Sequence, residues 1–146
     1  MVNVGLGNGM NKTVRWRQRF ENFEKAYGLL ARTVAIENPS EAERGGLIQF
    51  FEMAFELSWK LLKDYLEAEG YAVKSPRAVL KQAYQDRLIE NGHVWMRALE
   101  DRNATVHLYD ERQSLAIVDS IREYYFPAIK QLHAFFRKAY ESCGSD

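Results

Sequence analysis

Arg102-Asn103-Ala104-Thr105-Val106-His107-Leu108-Tyr109 gathers an arginine, an asparagine, a histidine and a tyrosine into one short stretch. A guanidinium meets phosphate oxygens with a fixed fork of N–H donors, and an imidazole titrates near neutrality, so the pair suits proton transfer beside a bound phosphate. At 100° per residue Asn103 and His107 share one helical face, while Arg102 and Tyr109 share a neighbouring one. By the same geometry Arg102 stands about 140° around from His107. The two meet only if the helix end deforms or a second subunit contributes. The same residues also fit a buried polar cluster, with Asn103 bonded to His107 and Arg102 paired with an acid on the second helix, because polar groups inside a bundle must find partners. Spacing alone leaves both readings open.

Other side chains give thinner signals. Glu52 and Glu56, four residues apart, place two carboxylates on one helical face, an arrangement that repels in isolation and invites a cation. Arg102 is one candidate for that cation and Lys60, four residues past Glu56, is another. Trp59 reads as core or interface packing rather than a stacking platform, His133 among Leu132, Phe135 and Phe136 as a structural or edge histidine, and His93 as a surface residue. From Asn11 to Ile36 there are six basic residues (Lys12, Arg15, Arg17, Arg19, Lys25 and Arg32) against Glu21 and Glu24, a local net of +4. Such a face either guides an acidic partner or is simply solvated.

The elements that must position these groups are helical throughout. Trp16, Phe20, Phe23, Tyr27, Leu30 and Val34 alternate in steps of four and three, which draws one apolar stripe along a first helix. Ser40 with Glu43 forms a capping box for a second helix, along which Leu47, Phe50, Ala54, Leu57 and Leu61 run toward a Gly70 stop. Phe51, Phe55, Leu62 and Leu66 add a second stripe, so this helix is expected to be buried on two sides. Ser75 and Pro76 read as N-cap and first residue of a third helix ending near Leu88. A fourth runs from about Asn91 through Trp95, Met96 and Leu99 into Glu100-Asp101-Arg102-Asn103. A fifth is capped by Asp110 and carries Leu115, Val118, Ile121, Tyr125, Ile129, Leu132 and Phe136 inward, with Pro127 expected to bend it without ending it.

No run alternates with the period of a strand. The expected fold is all-α, an antiparallel up-and-down four-helix bundle with an additional short helix. The 146 residues and 17.0 kDa suit one domain. Its expected limits are a flexible tail at 1–11, the bundle at 12–141 and a short tail at 142–146. Either Met1 or Met10 can serve as the start. Twenty basic and twenty acidic residues cancel, which argues against a protein that coats duplexes or membrane surfaces through net charge. The lone Cys143 and the absence of a basic-then-apolar leader lead to the expectation of a reducing, cytoplasmic setting, with no membrane span. Phosphate-loop, dinucleotide-fold, H-E-x-x-H and C-x-x-C motifs are missing, so no metal and no cofactor is expected.

The form R-N-x-x-x-H-x-Y resembles the signature of the HEPN superfamily of small helical proteins, in its HepT and nucleotidyltransferase substrate-binding branch. Phe51-Glu52, the run Phe55-Glu56-Leu57-Ser58-Trp59-Lys60-Leu61-Leu62-Lys63-Asp64-Tyr65-Leu66, Ser75-Pro76-Arg77 and Leu99-Glu100-Asp101-Arg102-Asn103 sit at matching places, and the likeness covers residues 12–140. It implies a HEPN-like bundle, a homodimer, and a partner nucleotidyltransferase of the minimal MNT type encoded nearby. It also implies a metal-independent ribonuclease site at Arg102 and His107 with Asn103 as polar neighbour, and Tyr109 as the hydroxyl that the partner adenylylates in toxin–antitoxin members. Cleaving RNA through its own 2′-OH needs a proton acceptor, a proton donor and a cation for the charged phosphorane. One chain supplies one such histidine, which makes a two-fold dimer a chemical requirement of this reading. Two rivals remain: a non-catalytic subunit that binds nucleotide or another substrate for the transferase, and a scaffold whose motif only organises the dimer.

Overall fold

The computed structural model describes the backbone of residues 3–104 and 110–144, and the side chains of 11–104 and 110–142. Helices follow one another as α1 (Asn3–Val34), α2 (Glu41–Ala68), α3 (Pro76–Gln85), α4 (Gly92–Ala104), α5 (Glu111–Ser120), a π turn (Ile121–Tyr125) and α6 (Phe126–Gly144). Among the described residues there is no strand. The backbone of α1 runs through positions set apart above as a tail. No helix of the described residues is long and apolar enough to cross a membrane.

Local chemistry explains the ends. Ser40 Oγ accepts from Glu43 N at 3.1 Å, and Glu43 Oε1 accepts from Ser40 N at 2.8 Å, so both halves of the capping box are present. The bond from the Ser40 backbone holds the Glu43 carboxyl below its usual range. Gly70 lies at φ 102 beyond α2, the left-handed conformation in which Tyr71 N reaches back to Leu66 O at 2.9 Å. Ser75 caps α3 and Pro76 takes its first position. That helix stops at Gln85, before the expected Leu88, because Arg87 turns left-handed at φ 61 and Leu88 N closes back on Ala83 O at 2.9 Å. Asp110 Oδ1 caps α5 by accepting from Arg112 N at 2.9 Å.

Short connections fold α1 and α2 antiparallel, and α2 becomes the axis of the bundle, packed against α1, α3, α4, α5 and α6. Its second stripe is wholly inside, with Phe51, Phe55, Leu62 and Leu66 as fully buried as Leu47, Ala54 and Leu61 of the first, whereas Phe50 and Leu57 of the first stripe are only half-buried against the core. Trp16, Phe20, Phe23 and Leu30 of α1 and Ile129, Leu132 and Phe136 of α6 close the core. Each such side chain contributes about 1.5–3 kcal/mol on leaving water.

Pro127 does not act through a simple bend. Lacking an N–H, it leaves a carbonyl one turn back without a donor, and the chain widens just before it. Phe126 N–H then bonds Ile121 O across the π turn, and both Ile121 and Tyr125 stay inside. Leu115, expected on the inner face, is 44% exposed. The substantial contacts of α5 are with α2 and the π turn, and they cover Val118 but not the first turns of the helix.

Candidate functional site

The last turn of α4 carries Arg102 and Asn103, and α2 carries Glu52 and Glu56. Arg102 reaches back to α2, where its Nε lies 3.4 Å from Glu56 Oε2. The other Glu56 oxygen lies 3.4 Å from Lys60 Nζ, so one carboxylate is shared between two cations, and both partners foreseen for it are real. Arg102 and Glu56 side chains are 35% and 32% exposed, which leaves this pair within reach of solvent and of a solute. Glu52, one turn earlier on α2, is half-buried, and Asn103 is exposed. His107 and Tyr109 lie outside the described residues. The structure therefore brings Arg102 to Glu56, as the polar-cluster reading expects for the arginine, and leaves the bond expected from Asn103 to His107 outside what it describes.

Behind Arg102 stands a pair that the sequence reading did not single out. Tyr125, 1% exposed in the π turn, donates its hydroxyl to Asp101 Oδ2, the residue preceding Arg102. Its ring stacks on Phe51 with centroids 5.4 Å apart. Burial pushes the Tyr125 hydroxyl well above its usual range, and the Asp101 bond and charge push it further, with Arg97 opposing both. The phenol is thus held protonated as a donor. It fixes the backbone turn that carries Arg102, so α4, α2 and the π turn are tied at one point. A signal for it existed: a tyrosine on an apolar stripe expected to be buried needs a partner for its hydroxyl.

The remaining candidates fall into structural roles. Of the basic residues at the start of α1, Arg19 Nε pairs with the buried Asp64 at 2.9 Å, Arg15 with Glu67 at 3.4 Å, and Arg17 donates to Tyr140 O at 2.8 Å. These three cations bind the bundle together, so the face is neither freely solvated nor fully available to a partner. His133 Nε2 lies 2.9 Å from Glu24 Oε2, and its ring stacks on Tyr27 at 4.2 Å, which confirms a structural histidine. Trp59 is half-buried against the core and His93 is exposed. Among the described residues no three metal-ligating side chains converge.

Chemically, the described part of the site offers one anchored, solvent-reachable guanidinium, with a carboxylate 3.4 Å from its Nε that it shares with Lys60. Comparison with known proteins places this arrangement in context. The family model described as nucleotidyltransferase substrate binding protein like matches residues 18–138. A Haemophilus influenzae protein named "Probable ribonuclease HepT" is 29% identical over 84 residues, which cover 54% of this chain and 58% of that relative. The match thus spans little more than half the length of the relative. A Thermus thermophilus protein of known crystal structure superimposes with a TM-score of 0.69 at 33% identity, covering 81% of this chain and 98% of that one.

Proposed function

The chain belongs to the nucleotidyltransferase substrate binding protein like family, and from that premise we propose that it is the ribonuclease half of a HepT/MNT-type toxin–antitoxin pair. Its partner is a minimal nucleotidyltransferase, and both act in the cytoplasm. Arg102 binds the scissile phosphate and steadies the charge that develops on it, while His107 carries the proton to or from the reacting oxygens. Asn103 lies beside them as a polar neighbour. Because one chain holds one such histidine, two copies face each other across a groove, one supplying the acid and the other the base. The transferase adenylylates Tyr109, and the added charge and bulk repel RNA from the groove. The relative named as a probable ribonuclease points the same way.

The observation that supports this reading is the placement of Arg102. It sits on a turn anchored by Asp101 and Tyr125, keeps a third of its side chain exposed, and leads directly into residues 105–109. The test is RNA cleavage in EDTA. Wild-type protein should cut, and Arg102→Ala and His107→Ala should each lose about 10²-fold or more, the scale of an oxyanion stabiliser or a general acid–base group. Sedimentation at micromolar concentration should report about twice 17.0 kDa, since a monomer has no composite site.

One observation favours the second reading, a non-catalytic subunit that binds nucleotide or another substrate for the transferase. Glu56 lies 3.4 Å from the Arg102 Nε, and Glu52 adds a second carboxylate on the same helix face, so the site is less cationic than an RNA groove requires. A wild-type protein that binds nucleotides yet leaves RNA intact would establish this alternative.

A further inference from the structure

At the opposite end of α4 from Arg102, α3, α4 and the loop between them flank an open cavity of about 470 Å³. Nine residues of helix, about 14 Å along the axis, separate His93 from Arg102, and the two sites share no side chain. The volume falls in the range of small-molecule pockets.

The cavity has an aromatic wall held in a defined place. Tyr84 of α3 lines it with 53% of its surface exposed. One edge of that ring lies against Gly92, where a Cβ would come within 3.1 Å of Tyr84 Cδ1 and 3.2 Å of Cγ. The glycine at the start of α4 is what lets the ring lie that close, and it leaves the rest of the ring open to the cavity. Leu80, 1% exposed, and Met96, whose sulfur accepts from Arg77 Nη1 at 3.8 Å, complete the apolar lining. Lys81 and His93 also line the cavity, and among the described residues neither has a hydrogen-bond or ion-pair partner. Glu90 also lines the cavity and is the one carboxylate set against Lys81 there.

We propose that this α3–α4 cavity is a binding site for a planar aromatic ring carrying an anionic arm, of the size of a nucleoside monophosphate. The ring stacks on Tyr84 over Leu80 and Met96, and the anion meets Lys81 with support from His93 and the positive end of the α4 dipole. Tyrosine suits this work because every nucleobase has a π-face, so the site selects for a flat ring and a charge rather than for one base.

The probe is adenosine monophosphate, titrated into the full-length protein by calorimetry and by ¹H–¹⁵N spectra. Binding should shift the amides of Lys81 to Gln85 and of Asn91 to Met96. Tyr84→Ala, a surface change that leaves the core intact, should weaken binding at least about fivefold, the low end of one base–aromatic stack, while Tyr84→Phe retains it. Lys81→Ala should weaken the monophosphate but not adenosine, and inorganic phosphate alone should bind far more weakly than either. Shifts confined to the Arg102 end of α4, unchanged binding in Tyr84→Ala, or no binding of the monophosphate at millimolar concentration would each overturn the assignment.

Discussion

Replacing Tyr125 by phenylalanine removes one oxygen from the centre of the bundle and leaves everything else about the side chain in place. The ring keeps its stack on Phe51, so no cavity of consequence opens. What is lost is a hydrogen bond to the Asp101 carboxylate. Bonds to charged groups contribute about 1.5–3 kcal/mol. Asp101 is only half-buried and can turn to water once its donor is gone, which places the expected loss at the lower end, about 1–2 kcal/mol. For a chain of this length that corresponds to a fall in Tm of roughly 3–7 °C. Urea denaturation followed by circular dichroism should show a lower midpoint with an unchanged slope. The pH dependence gives a second handle. In the unfolded chain the hydroxyl ionises near 10, roughly the ordinary tyrosine value, whereas burial first and the Asp101 bond second raise it in the fold. The stabilisation from this group is therefore full below about pH 10 and is lost as pH rises toward and through the raised value. Tyr125→Phe should remove that alkaline loss. A variant as stable as wild type at neutral pH, with the same alkaline profile, would refute the bond; a loss above about 4 kcal/mol would mean that the ring itself had moved.

Two further outcomes follow from the geometry and a third from the proposed function. Arg19→Ala leaves the Asp64 carboxylate, 3% exposed, without its partner, and should cost about 2–4 kcal/mol by urea denaturation, whereas exchanging the exposed Arg15 should cost under about 1 kcal/mol. Leu115→Ser should change stability by no more than about 0.5 kcal/mol, because the side chain is already in water, while Leu132→Ala should cost about 2–5 kcal/mol by the same measurement. Incubation with the cognate transferase, ATP and Mg²⁺ should add AMP-sized mass steps to the wild-type chain and none to Tyr109→Phe; a step that survives in the variant would place the modified hydroxyl elsewhere.

Much of the fold was legible because it rests on local chemistry repeated at helical spacing. The Ser40–Glu43 box, the Ser75-Pro76 start and the double stripe of Phe51, Phe55, Leu62 and Leu66 all carry their meaning within a few residues. Leu115 shows the limit: periodicity says which face a residue is on, not whether a neighbour extends far enough to cover it. The π turn shows another, since Pro127 announces that a carbonyl has lost its donor but not how the chain will absorb the loss. At the site, the link from Arg102 to Glu56 followed from charge and spacing. The link from Asp101 to Tyr125 crosses from one helix to another, and only packing brings such distant positions together. Arg15, Arg17 and Arg19 looked like a basic face for the same reason, because Glu67, Tyr140 and Asp64 are remote in sequence and adjacent in space.

The chemistry of the RNA ends bears most directly on the role given to Arg102 and His107. Attack by the 2′-OH, assisted by a histidine and a guanidinium, leaves a cyclic phosphate or a 2′- or 3′-phosphate, and it needs no metal ion. Digestion of RNA in EDTA, followed by mass analysis of the fragments, should give those ends with wild-type protein and almost none with His107→Ala. Fragments ending in a 3′-hydroxyl, cutting that requires added Mg²⁺, or RNA left intact by the wild-type dimer would contradict the ribonuclease assignment.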